Sequence, residues 1–484
     1  MPELSRQRRY LVLAICCMSL FIVGLDSTIV NVALPDIGRD FHAPVSGLQW
    51  TIDAYTLVLA ALLMLSGSTA DRLGRRRVFQ IGLGLFTIGS LLCSLAPGLG
   101  WLVAFRMLQA VGGSMLNPVA MSIITNTFTE RSERARAIGV WGGVFGLSMA
   151  MGPVVGGALV DSVGWRGVFW VNIPVGIAAI LLTALFVPES KAARARRPDV
   201  VGQILIIAML GSLTYGIIEG SSYGWGSPRI LAFFAVTVIA VIGFLCYEPR
   251  REEPLIDIRF FRSLPFSGAT LTAVSAMSAL GGFLFLTTLY LQDVRGYRPL
   301  FAGLFLLPMA AAMAVGAPLA GRMLARSGAR APLLIAGAGI TTGGILLTQL
   351  TNSSAPGYLV LAFLVFGIGI GFVNAPITNS AVSGMPRSQA GVASGIASTS
   401  RQVGSSLGVA VMGSVLAANL HGSMEAGFAA ATRPGWWTIA AAGVVVIVLA
   451  LITTSRRGKA SGERTATLVA NAEEKIPVPA GRAG

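Results

Sequence analysis

Gly67 to Arg77 reads GSTADRLGRRR, a short polar turn between two long apolar runs. Its four arginines, Arg72, Arg75, Arg76 and Arg77, stand between segments long enough to cross a bilayer, and basic loops of this kind stay on the cytoplasmic side. The turn therefore predicts a polytopic membrane protein and sets its expected orientation. Composition agrees: 54% of the 484 residues are hydrophobic and 12% charged, whereas soluble domains carry about 25% charged residues. The net charge of +15 raises the question of nucleic acid, but the bases recur in short clusters about two spans apart and form no single patch. Cys16, Cys17, Cys93 and Cys246 all fall inside apolar runs, which argues against a disulfide framework. His42 and His421 fall in loops and suggest no metal site. No phosphate loop of the GxxxxGK[ST] type occurs, so nucleotide binding is not expected.

At about 20 apolar residues per span, helices are expected near 10–34, 47–66, 78–95, 99–122, 137–159, 167–187, 200–219, 229–248, 266–291, 299–320, 332–350, 357–380, 394–418 and 436–454. This is an all-α polytopic fold of about fourteen spans. It divides into a six-helix half over 10–187, two inserted helices over 200–248, a second six-helix half over 266–454 and a disordered cytoplasmic tail over 455–484. With Arg6, Arg8 and Arg9 inside, the later cytoplasmic loops hold Arg131, Arg134 and Arg136; Lys191, Arg194, Arg196 and Arg197; Arg250, Arg251, Arg259 and Arg262; and Arg322, Arg326 and Arg330. Both termini are expected in the cytoplasm. Trp50, Trp101, Trp165, Trp225, Trp436 and Trp437 fall where an outer aromatic belt is expected.

The halves repeat. Aligned on glycines, Gly67–Arg76 meets Gly321–Arg330, so Arg72, Gly74 and Arg76 fall on Arg326, Gly328 and Arg330, while Asp71 meets Ala325. Pro118 and Gly139 find counterparts in Pro376 and Gly395. Two related halves suit alternating access, because a site between them opens to either side when one rocks on the other.

The set Gly67, Asp71, Arg72, Gly74, Arg75 and Arg76 resembles the cytoplasmic loop signature of the major facilitator superfamily, found between its second and third spans. Arg106, Gln109, Gly112 and Gly113 in RMLQAVGG resemble that family's fourth-span motif. Gly152, Pro153, Gly156 and Gly157 in AMGPVVGG resemble the fifth-span motif of its antiporters. Asp26 and Asp53 resemble the first- and second-span acids of the fourteen-span drug:proton antiporter branch. The resemblance implies the major facilitator fold and export of lipophilic drugs or antibiotics in exchange for protons, with no other cofactor and no enzymatic role. An exporter or flippase of one native lipid or metabolite on the same fold is the alternative. A non-transporting receptor or scaffold fits the intramembrane acids poorly.

Physical chemistry leads to the same residues. A charge at mid-membrane costs about 2.5–3.5 kcal/mol, so ionisable groups there face a cavity or a partner. Asp26, Asp53 and Arg106 are expected in one layer, with two carboxylates competing for one guanidinium and one left to cycle a proton. Asp71 is expected to latch onto Arg134 or a neighbouring helix when the cytoplasmic side is closed. Gln109 and Glu219 are candidate substrate contacts. Since no acid lies deep in spans 9 to 14, the substrate is expected to be small, lipophilic and neutral to monocationic. The remaining partners are protons and the lipids of the cytoplasmic (inner) membrane, and a monomer is expected.

Overall fold

The computed structural model describes residues 5–191, 199–251, 254–383, 385 and 389–474. Fourteen long helices run in order: α1 Arg6–Phe41, α2 Val45–Leu73, α3 Arg75–Ser94, α4 Leu99–Thr127, α5 Arg131–Val163, α6 Gly167–Phe186 and α7 Val200–Tyr223, then α8 Pro228–Tyr247, α9 Leu264–Val294, α10 Pro299–Ser327, α11 Arg330–Leu347, α12 Pro356–Val382, α13 Ala390–Asn419 and α14 Met424–Thr453. Among the described residues, thirteen helices are long and apolar enough to cross a membrane. The one that falls short is α13, rich in serine and glycine and carrying Arg401 and Gln402. It is nonetheless an interior helix, packed on α9, α2, α7 and α14, where neighbours satisfy polar side chains that lipid would not. The chain is a multi-pass membrane protein.

Local chemistry sets the helix ends. Ser5 accepts from the Arg8 amide at 3.4 Å at the start of α1, and Asp199 accepts from Gly202 at 2.9 Å at the start of α7. Ser227 and Ser263 do the same before α8 and α9, each followed by a proline in the first turn. Gly74 ends α2 at φ +116° and Gly328 ends α10 at φ +78°. These two glycines, matched by the repeat, occupy left-handed backbone that other residues avoid, so the repeat preserves a turn even where its acid is lost.

Buried apolar clusters in α1–α6 centre on Phe79, Phe86 and Phe128 and on Val168 and Phe169. The cluster in α9–α14 centres on Phe283, Phe363, Phe366 and Trp436. Trp436 is 1% exposed and donates to Thr432 within its own helix. It is therefore a core residue and not part of an aromatic belt, because α14 starts at Met424, a full 12 residues before the expected 436. Helix α7 lies across α2 and α13, while α8 packs chiefly on α7 and leaves Val238, Ile239 and Ile242 exposed as a lipid-facing surface.

The chain after Ser455 corrects an expectation. Arg456–Glu474 forms a helix, α15, where a disordered tail is expected from sequence. Its Thr465 and Val469 are buried, the Ser461 hydroxyl accepts from the Leu264 amide at 3.0 Å, and Gly462 faces Pro265. These docking contacts supply order that polar composition alone does not suggest. The remainder of the tail and the arginines Arg194, Arg196 and Arg197 lie outside the described residues.

Candidate functional site

Asp26 of α1 is fully buried and sits in a closed polar knot. Its Oδ2 accepts from Arg106 Nη1 of α4 at 2.6 Å. Its Oδ1 accepts from Gln109 Nε2 at 2.9 Å and from Asn172 Nδ2 of α6 at 3.1 Å. Arg106 also donates to Gln109 Oε1 at 2.8 Å and to the Thr51 carbonyl at 3.3 Å, and its guanidinium lies 4.1 Å from the centre of the Tyr55 ring. Spacing places Arg106 and Gln109, three apart on α4, on one helix face. Glycines bring the helices close enough: a Cβ on Gly89 would lie 2.6 Å from Gln109 Cα, and one on Gly112 would lie 2.3 Å from the Phe86 nitrogen. Asn172, Tyr55 and Ser90 complete the knot and were not singled out from sequence. Asn172 carried the available signal, as a polar side chain near the start of an apolar span.

Asp53 does not join this group, and the expected competition of two acids for Arg106 is absent here. Helix α2 turns Asp53 the other way, into the seam between α2 and α13. It is 0% exposed, and neither carboxylate oxygen makes a hydrogen bond. The Ser406 hydroxyl of α13 lies nearby, itself without a completed bond. One turn along α2, Gln49 Nε2 donates to the carbonyls of Ala410 at 2.7 Å and Val409 at 3.2 Å. Gly413 makes room for that amide, since a Cβ there would lie 2.3 Å from Gln49 Cδ. Helix α7 covers the seam: Gln203 donates to the Ala61 carbonyl at 2.6 Å and the Ile217 carbonyl accepts from Ser414 at 2.5 Å. Glu219, the candidate substrate contact, lies on this flank and accepts from Trp50 Nε1 at 2.9 Å; it is not brought near Asp26 or Arg106.

The fifth-span motif divides its work. A Cβ on Gly152 would fall 1.9 Å from Thr28 Oγ1, and one on Gly156 would fall 2.8 Å from Ile29 Cγ1, so both glycines seat α5 on α1. Gly157 and Pro153 instead meet the other half: Cβ atoms on Gly157 and Gly303 would lie 2.5 Å from the Pro299 carbonyl and 2.2 Å from the Pro153 carbonyl respectively. Asp161 reinforces this contact by accepting from the Leu300 amide at 3.3 Å, with Arg298 Nε at 3.7 Å. A π-helical turn at Tyr290–Val294 presents Gln292, whose Nε2 donates to the Val32 carbonyl at 2.8 Å. Arg39 lies 3.7 Å from Asp293.

These hydrogen bonds and ion pairs joining the two halves lie toward the end away from the arginine-rich loops. At the arginine-rich end, Gly139, Gly142, Gly143, Gly146 and Gly395 face open space. The polar contacts between the halves thus gather at one end, while at the other these glycines of α5 and α13 have no neighbour.

The stretch from Gly67 is not a loop: α2 runs through Asp71 to Leu73 and only Gly74 separates it from α3. Asp71 pairs with Arg75 at 2.8 Å, and no ion pair with Arg134 forms. Arg72 is exposed, and Arg76 donates to the Ala184 carbonyl at 2.6 Å. Glu189, not singled out from sequence, caps α3 by accepting from the Arg76 and Arg77 amides at 3.1 and 3.3 Å. A carboxylate suits that helix N-terminus, and Gly74 makes the approach possible, because a Cβ there would lie 2.7 Å from Glu189 Oε1.

A sequence model described as Major Facilitator Superfamily matches residues 16–409. A multidrug resistance protein, Stp, of Mycobacterium tuberculosis is 40% identical over 84% of this chain and 76% of its own length. The tetracenomycin C resistance and export protein of Streptomyces glaucescens is 38% identical over 86% and 77%. A crystal structure of a bacterial homolog of the human lysosomal transporter Spinster, inward-facing and unoccupied, aligns with a TM-score of 0.66 at 19% identity, covering 96% of this chain and 99% of that one. That last likeness speaks for the fold.

Proposed function

Because this chain belongs to the major facilitator superfamily and its relatives are multidrug and antibiotic resistance proteins, we propose that it exports lipophilic drug-like compounds from the cytoplasm in exchange for protons. The arginine-rich loops orient it in the inner membrane with both termini inside, so the present state opens toward the cytoplasm. Rocking of α1–α6 against α9–α14 then carries substrate outward. The protein acts as a monomer, with no nucleotide and no cofactor beyond the coupling proton.

One observation carries the coupling: Asp53 is sealed at the moving seam with both oxygens unpartnered. An ionised carboxylate in such a place is costly, so the closed seam favours the neutral acid. Asp53 takes its proton from the outer solution when the seam opens and wets, and yields it to the cytoplasmic side when substrate entering from that side wets the seam from within. Asp26, held by Arg106, Gln109 and Asn172, fixes the first half as a unit and supports the exchange without itself cycling. Asp71 exchanges Arg75 for Arg134 as the cytoplasmic ends of the halves meet. A proton entering across about 100 mV gains about 2.3 kcal/mol, enough to support nearly two decades of gradient for a neutral compound. Proton movement on addition of substrate to proteoliposomes tests the reading; a chain that moves substrate without protons refutes the coupling.

A further inference from the structure

Arg401 is a further charge within the helical bundle. It lies on α13, eleven residues from the start at Ala390, or about 16 Å along the axis, at a depth where arginine is held only by partners or water. Its partners are two hydroxyls: Nη2 donates to Ser398 Oγ at 3.0 Å and Nη1 to Thr378 Oγ1 at 3.4 Å. Among the described residues no carboxylate pairs with it. Of the five N–H donors of a guanidinium, these bonds use two, and the side chain is largely buried with a small exposed part.

Thr378 shows what Arg401 faces. On α12 the polar residues Asn374, Thr378 and Asn379 are exposed, while Pro376, Ile377, Ser380 and Ala381 are buried against the bundle. Thr378 and Asn379 stand in the last turn of α12 and Asn374 about two turns in, so this polar face lies toward the arginine-rich end, where water can reach it. The two buried acids do not offset Arg401, since Asp26 is sealed on Arg106 and Asp53 is sealed beneath α13, both toward the other end of the bundle.

We propose that Arg401 receives an anionic oxygen group of the substrate, a carboxylate or an ionised phenol or enol, with Asn374, Thr378 and Asn379 as neutral hydrogen-bonding neighbours. This rests on the export reading above. It puts an anionic group where the lack of deep acids in spans 9 to 14 led to the expectation of a neutral to monocationic substrate. A guanidinium offers a carboxylate two parallel charge-assisted hydrogen bonds, and an anion leaving the cytoplasm is itself driven by an inside-negative potential.

The test uses the full chain in nanodiscs and two matched probes, 1-pyrenebutanoate and its neutral amide, with binding read by fluorescence. The wild type should favour the carboxylate by about tenfold or more, the worth of one charge-assisted hydrogen bond. Arg401→Gln should bring that ratio close to one, and Arg401→Lys should keep part of it. A purely structural role would weaken both probes together and leave the ratio unchanged, which overturns the proposal. So does a wild type that fails to bind the carboxylate or does not prefer it. Binding that depends on Arg401, with no movement of either probe across proteoliposomes, leaves the site standing and refutes the export reading instead.

Discussion

The Nε2 of Gln49 reaches across from α2 to the backbone carbonyl of Ala410 in α13 at 2.7 Å, one helical turn from the unpartnered carboxylate of Asp53. A side chain of one half thus closes the seam on backbone of the other. Buried hydrogen bonds of this kind contribute about 1 kcal/mol each, so Gln49→Leu should shift the balance several-fold toward opening at that end. In a background without native cysteines, Ser406→Cys should be labelled several times faster by an impermeant maleimide added from outside when Gln49→Leu is present. Unchanged labelling would show that the amide does not hold the seam.

The two intramembrane acids should differ in stability. Asp26→Asn leaves the Arg106 guanidinium buried without its counter-charge, a loss of about 3–5 kcal/mol by analogy with broken buried pairs. Asp53→Asn removes no hydrogen bond and should leave thermal unfolding in detergent nearly unchanged. Equal melting temperatures for the two variants would contradict the assignment of Asp26 to the structural knot.

At the α5–α10 contact the backbones meet with no space for a side chain. Gly157→Leu should cost about 1–3 kcal/mol through overpacking and disfavour the present state, whereas Gly146→Leu points into open space and should leave this state intact. Its penalty falls on the opposite state, in which the cytoplasmic ends meet. Cysteine accessibility from the two sides should therefore move in opposite directions for the two variants; movement in the same direction would refute the assignment.

The turn that organises the sequence also makes a prediction. Gly74→Ala places a Cβ in left-handed backbone and against Glu189, at a cost of about 1–3 kcal/mol, and Glu189→Ala should lose a cap worth about 1 kcal/mol. Thermal melting of the double variant should fall short of the sum, because both changes break one contact. Full additivity would separate the glycine from the cap.

Much of the fold was legible because bilayer thickness, apolar length and arginine-rich loops constrain it so tightly. The helix ends were less so: α1 runs on to Phe41 and α14 begins at Met424 because polar ends extend on neighbouring helices. The tail helix depends on docking contacts that composition does not report. For the site, charges inside apolar spans exposed Asp26, Asp53 and Arg106, but their pairing is a matter of helix rotation. Asp53 lies two residues from both Thr51 and Tyr55, which meet Arg106, so at about 100° per residue it points to the opposite face of α2, toward the seam. Glu189 stayed hidden because a capping acid at a loop looks like any solvated one, and Arg401 because the serine-rich helix around it carries a weak apolar signal.

Proteoliposomes loaded with a transported dye and subjected to an imposed pH gradient test the central claim most directly, with Asp53→Asn beside the wild type. The account predicts that the wild type moves dye in proportion to the gradient, while Asp53→Asn still exchanges dye for dye but no longer responds to the gradient. Gradient-driven transport by Asp53→Asn equal to that of the wild type would contradict it.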